Sequence, residues 1–180
     1  MTKKELIELL QAGKVDEFDK FRKENPDVEI DLSGADLEDA NLYRVNLEDA
    51  HLEGTNLHSA NFCRANLSGA GLNGADLTNA FLLGACLNGA SLCNADLEGA
   101  NLSEAKFKCA DLECANFKNA DCRDVDFSCA NFSFNHRKEK NVCFYGANLE
   151  SAIFDNEVLY GSEDVHWLNR AILPNLLGLK

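Results

Sequence analysis

The chain has 180 residues, 46% hydrophobic and 26% charged, the composition of an ordinary folded domain rather than of a disordered segment. Its 17 basic and 30 acidic residues give a net charge of −13, which argues against non-specific adhesion to phosphate backbones or anionic lipid. No apolar run reaches the ~18 residues of a membrane span, and Met1-Thr2-Lys3-Lys4-Glu5 has no signal-peptide apolar region, so the chain is expected to be cytoplasmic.

Residues 1–28 are predicted to form an N-terminal helical hairpin cap. Thr2-Lys3-Lys4-Glu5 reads as a capping box, with Leu6, Ile7, Leu9 and Leu10 as the apolar face behind it and Gly13 as the stop. Asp16 is expected to cap a second short helix that presents Phe18 and Phe21 and ends before Pro26.

From residue 29 to 156 the sequence is dominated by a period of five. Of the 21 positions 30, 35 and onward to 130, 17 are Ala, the exceptions being Ile30, Val45, Thr55 and Val125. Two residues later 20 of 21 are Leu or Phe, with Cys122 the exception, and the residue between is Asp or Asn in 15 of 21. Ala35-Asp36-Leu37-Glu38-Asp39 and Ala75-Asp76-Leu77-Thr78-Asn79 are typical units. Neither a helix nor an alternating strand sustains such a period. Short extended segments separated by turns do. Ala and Leu then face one side and Asp/Asn the other. The last two positions, rich in Gly, Ser, Asn and Asp, supply the turn. Four such units close an approximate square of 20 residues, and squares stack about 4.8 Å apart.

The phase breaks after Phe132. The next good units centre on Phe144, Leu149 and Phe154, as in Ala147-Asn148-Leu149-Glu150-Ser151. A step of 12 in place of 10 reads as two inserted residues, placed in a bulge at 133–141, either a tolerated surface insertion or a contact loop. Residues 157–180 are expected to form a C-terminal cap helix and tail. Ser162 would cap the helix, Val165, Leu168 and Ile172 would face inward, and Pro174 would stop it. Its further leucines serve either a self-contained lid or a homodimer contact.

The pentapeptide units quoted above resemble the pentapeptide repeat family. The resemblance covers Ile30 to about Asp155 and implies an all-β solenoid, a right-handed quadrilateral β-helix of about six coils. Most of that family has no assigned biochemistry. Some members are dimers joined through C-terminal helices, and some protect DNA gyrase by imitating duplex shape and charge. This chain shares their acidity but differs in its N-terminal hairpin, its shorter coil and its single modest insertion.

No phosphate loop, nucleophile elbow or metal-ligand cluster stands out, and a filled coil offers no cleft for paired carboxylates. The eight cysteines contain no CxxC pair, and the four histidines have no zinc spacing. Reduced thiols, no structural disulfide, no metal, no cofactor and no catalytic residue are therefore expected. Cys122 is placed in the core. Cys109 and Cys129 fall at equivalent positions of successive coils, within disulfide range of one another.

Residues 20 apart share a face. Over 30–155 there are 19 acids and 9 bases, a balance of −10, so the acidity belongs to the coil. The second face gathers Asp36, Glu38, Asp39, Asp76, Asp96 and Glu98 against one base, Lys118. This column either satisfies turn backbone or forms a functional surface. The third face gathers Tyr43, Cys63, Phe81 and Leu83 beside Arg44 and Arg64. Tyr, Phe and Arg are enriched at interface cores, so this patch is the candidate partner surface unless the chain itself covers it.

The expectation is a non-catalytic, rigid acidic rod that docks a protein partner, as a monomer or a homodimer through the C-terminal helix. It is not expected to contact nucleic acid or membrane directly. The alternative is a DNA mimic that binds or protects gyrase.

Overall fold

The computed structural model describes residues 1–132 and 142–155. Two helices open the chain, α1 at Lys3–Gln11 and α2 at Val15–Glu24. The capping box at the start of α1 is formed. Thr2 Oγ1 accepts from the Glu5 N–H at 3.3 Å, and the Glu5 carboxylate accepts from the Thr2 N–H at 2.7 Å. At the other end Gly13, with φ +67°, donates to Leu10 O at 3.0 Å while Lys14 donates to Leu9 O at 2.9 Å, a Schellman stop. The N-cap of α2 is Lys14, which makes no side-chain cap. The expected cap, Asp16, instead sits inside the first turn beside Glu17, where a carboxylate still complements the helix dipole. The turn from Gly13 leads straight into the helix and leaves no residue free for a cap nearer Asp16.

Beyond the hairpin each pentapeptide repeats one backbone scheme. Parallel bridges join residues 20 apart, from Asp31↔His51 to Asp111↔Asn131, so four pentapeptides complete one coil. In a unit with a coil on either side, four of the five N–H groups are satisfied by backbone. His51 donates to Ile30 O of the coil before (2.8 Å), whereas Leu32 donates to His51 O (2.8 Å) and Gly34 to Glu53 O (2.9 Å) of the coil after. The fourth bond, Ala35 N–H to Leu32 O at 3.0 Å, closes the corner. Its third residue has positive φ in every described unit, as in Gly34 (+65°), Arg44 (+62°) and Asn79 (+57°), the signature of a type II turn.

The fifth N–H explains the Asp/Asn rule. In 15 units the Oδ1 of that residue accepts the N–H two residues later, at 2.9 to 3.4 Å. Where the position carries Ser91 or Lys106, an Asn of the coil before takes over. Asn73 accepts from Cys93 N–H at 2.9 Å, and Asn88 accepts from Lys108 N–H at 3.0 Å.

Ala and Leu/Phe fill one continuous core that extends through Ile30 to Leu6, Leu10 and Phe18 of the helices. Cys122 is fully buried in it. The hairpin also replaces the coil missing below the first. Asp19 accepts the Asn46 N–H (3.0 Å), Gln11 donates to Asp36 O (2.8 Å), and Arg22 donates to Glu48 O (2.8 Å). An open solenoid end would leave those groups unpaired.

The insertion is larger than the phase suggested. Asn116↔Cys143, Asp121↔Asn148 and Asp126↔Ile153 are each 27 apart, so seven residues are added and not two. Phe144 stacks on Phe117 with ring centroids 4.8 Å apart. A period of five cannot distinguish two extra residues from seven, and only the bridge register separates them. The residues 133–141, and the C-terminal helix expected after 156 with its dimer contact, lie outside the described residues.

Candidate docking surface

On the third face of the first three coils run Ala40–Arg44, Ala60–Arg64 and Ala80–Gly84, bridged through Asn41↔Asn61 and Asn61↔Phe81. The sequence grouping is therefore real in space. Tyr43 (42% exposed), Phe81 (49%) and Leu83 (37%) are three of the seven large hydrophobic residues exposed among the described residues, and they share this one face. Cys63 lies half-buried between them, its thiol directed at Phe81 O at 3.9 Å.

Phe81 is the anomaly. It stands where Asn41, Asn61 and Asn101 accept the N–H groups of Tyr43, Cys63 and Ser103 at 3.4, 3.1 and 3.1 Å. A phenyl ring has no acceptor to offer, and about half of it is left exposed. The position gives up the acceptor used in three neighbouring coils and leaves apolar surface in water, so the fold does not account for it.

Arg44 and Arg64 are exposed and occupy the left-handed corner, at φ +62° and +61°. A side chain there costs about 1 kcal/mol relative to glycine. The Arg64 stem lies over Gly84, whose missing Cβ would sit 3.8 Å from Arg64 Cγ. Residues 40–44, 60–64 and 80–84 contain no carboxylate, and neither arginine forms an ion pair among the described residues. Below the patch a cleft of about 600 Å³ is walled by Asn41, Tyr43 and Arg44 on one side and Gly13 to Glu17 with Asp19 on the other. The helical wall was not readable in the sequence, because nothing local fixes how the hairpin lies on the first coil.

The second face carries its six acids as mapped, and five of them accept hydrogen bonds from neighbouring groups. Asp36, Asp76 and Asp96 accept the N–H groups of Glu38, Thr78 and Glu98 at 3.3, 2.9 and 3.0 Å. Asn56 Nδ2 donates to Asp36 (2.9 Å) and Glu38 (3.1 Å), and Asn116 Nδ2 donates to Asp96 (2.8 Å). Lys118 pairs with Glu98 at 2.7 Å, which lowers the Glu98 pKa and raises that of the lysine. Asp39 lies at a corner with φ +56°. The column is interleaved with neutral and basic groups and is not an unbroken line of charge.

Among the described residues no group of three or more His, Cys, Asp or Glu side chains could hold a metal ion. No helix among them is long and apolar enough to cross a membrane.

The periodic core, the corner at every fifth residue and the Asp/Asn acceptors define a class of solenoid. The sequence profile of the pentapeptide repeats matches in eight copies spanning residues 30–134, and the chain belongs to the pentapeptide repeat family. Proteins of this family adopt a right-handed quadrilateral β-helix and are generally non-enzymatic structural or binding proteins.

Among solved structures the chain is similar to HetL, a pentapeptide repeat protein involved in heterocyst differentiation regulation in the cyanobacterium Nostoc sp. strain PCC 7120. The identity is 32% over 69% of this chain and 60% of that one, with a TM-score of 0.32. The chain thus spans about 60% of the length of HetL. It is also similar to Rfr23 from the cyanobacterium Cyanothece 51142, at 23% identity over 77% of this chain and 94% of that one (TM-score 0.32). QnrB1, a plasmid-mediated fluoroquinolone resistance protein, aligns at 16% identity over 81% and 91% of the two chains (TM-score 0.34). No curated protein matches the chain.

Proposed function

We propose that this protein is a non-catalytic binding scaffold of the cytoplasm. In this reading the repeats form a right-handed rod of about six coils, closed at its start by the 1–28 hairpin. The rod docks a protein partner through the lower third face, Tyr43, Arg44, Cys63, Arg64, Phe81 and Leu83. The observation that carries the reading is Phe81, a half-exposed ring standing where the fold wants an acceptor, with Tyr43 and Leu83 beside it and two guanidinium groups at its edge.

Charge complementarity specifies the partner. In a chain of net charge −13 the runs 60–64 and 80–84 offer Arg64 with no carboxylate beside it, away from the Asp16, Glu17 and Asp19 that line the cleft at Arg44. This part of the face therefore suits an acidic segment that inserts an apolar side chain beside Phe81 and Leu83. The flexible arginine stems add apolar contact around the strip.

Phe81→Asp and Arg64→Glu form the matched test, with pull-down for a foreign partner and light scattering for self-association. Both variants should lose the partner while keeping the fold. If neither changes any interaction, the site is wrong. The gyrase-protecting alternative draws on the second-face acids Asp36, Glu38, Asp39, Asp76, Asp96 and Glu98. It is the weaker reading, because Asp36, Asp76 and Asp96 already serve turn N–H groups and the column alternates with Asn56, Asn116 and Lys118.

A further inference from the structure

Of the eight cysteines only Cys109 and Cys129 are 20 residues apart, and both are exposed. They hold the same corner position of the fourth face in successive coils, with φ of +57° and +58°, so their Cα–Cβ bonds run parallel. The coils are locked there, since the Cys109 N–H donates to Ser128 O at 2.9 Å. One coil spacing, about 4.8 Å, is inside the Cα window of a disulfide and slightly beyond its usual Cβ separation. Beside Cys129 stands Asp155, whose Oδ2 accepts the Cys129 N–H at 2.6 Å. Cys109 first, and then Asp155, push the Cys129 pKa up.

We infer that Cys109 and Cys129 form a redox-modification site, a cross-coil dithiol that hydrogen peroxide converts to a reversible disulfide. This inference does not depend on the docking surface. The Cys109 thiolate attacks one peroxide oxygen. An S–O bond forms, the O–O bond breaks, and water leaves once the departing oxygen is protonated, giving a sulfenic acid. The Cys129 sulfur then attacks the Cys109 sulfur. An S–S bond forms, the S–O bond breaks, and the hydroxide takes the Cys129 proton and departs as water. Two thiols lose two hydrogens, and the peroxide becomes two waters. Cys109 attacks first because the carboxylate of Asp155 disfavours a thiolate at Cys129. The bond must draw two parallel Cβ atoms together, so it is strained and readily reduced rather than a permanent staple.

The test treats the full reduced chain with equimolar hydrogen peroxide, followed by intact mass and peptide mapping. The expected result is one disulfide, Cys109 to Cys129, with the loss of two hydrogens, fully reversed by dithiothreitol and absent from Cys109→Ser and Cys129→Ser. Serine is already accommodated at such a corner in Ser59, φ +56°, so both variants should fold. In Cys129→Ser a dione probe should trap sulfenic acid at Cys109, at least tenfold more than at Cys129 in Cys109→Ser. Pairing with another cysteine, separate over-oxidation of the two sulfurs, or two surviving thiols would overturn the site. Equal trapping in the two variants would overturn the order of attack.

Discussion

Asp76 separates a structural from an electrostatic meaning of the acidic face. Its Oδ1 accepts the Thr78 N–H at 2.9 Å and the Thr78 hydroxyl at 2.6 Å, and it is bridged to Asp96 one coil above. Each hydrogen bond contributes about 0.5–1.5 kcal/mol net. The two carboxylates, ~4.8 Å apart, repel by about 0.9 kcal/mol in water, and salt screens part of that. Asp76→Asn keeps the acceptor and removes the repulsion, so it should be neutral or stabilise by a few tenths of a kcal/mol up to about 1 kcal/mol. Asp76→Ala removes both, and should be less stable than the Asn variant by about 1–3 kcal/mol. Urea unfolding followed by circular dichroism measures the difference. An Ala variant as stable as the Asn variant would refute the claim that these acids are kept as backbone acceptors.

Other outcomes follow from the same geometry. Cys122→Leu restores the rule at a fully buried core position and should be tolerated or raise the melting temperature; a large drop would contradict the assignment. Arg64→Gly relieves a left-handed corner and should stabilise by up to about 1 kcal/mol while weakening partner capture. A gain in stability with capture intact would remove the functional reason for the arginine. Ser33 and Lys3 lower the Asp31 pKa, Arg123 lowers that of Asp121, and Ser128 lowers that of Asp126. Their contribution is present above the unfolded carboxylate pKa of about 4 and is lost as pH falls through the lower folded values. Thermal melts should therefore drop steadily from pH 5 toward pH 2, and a flat profile would count against these contacts. In a gyrase supercoiling assay with a quinolone present, the protein should give no protection. Relief of inhibition that Asp76→Asn with Asp96→Asn weakens would reverse the ranking of the two functional readings.

The core, the corners and the face assignments were legible because a period of five is a strong signal and every coil repeats it. Tyr43, Phe81 and Leu83 could be grouped by counting twenties, and the bridge register places them on one face. The size of the insertion was not legible, since adding five residues leaves the phase unchanged. The Asp16 cap failed for a local reason: the Schellman stop at Gly13 starts α2 at once, with Lys14 as its cap. The cleft beside Arg44 was hidden as well. It depends on Asp19, Arg22 and Gln11 finding unpaired groups of the first coil, a tertiary match with no pattern in the chain.

The docking face is tested most directly by site-specific photo-crosslinking in host extract, with a photoreactive phenylalanine placed at position 83 in one protein and at position 78 in another. Leu83 lies on the third face among the first three coils, and Thr78 lies beside the acids of the second. The account predicts a discrete crosslinked partner from position 83, abolished by Arg64→Glu in the same chain, and none from position 78. A partner captured from position 78 alone, or one captured from position 83 regardless of Arg64→Glu, would contradict it.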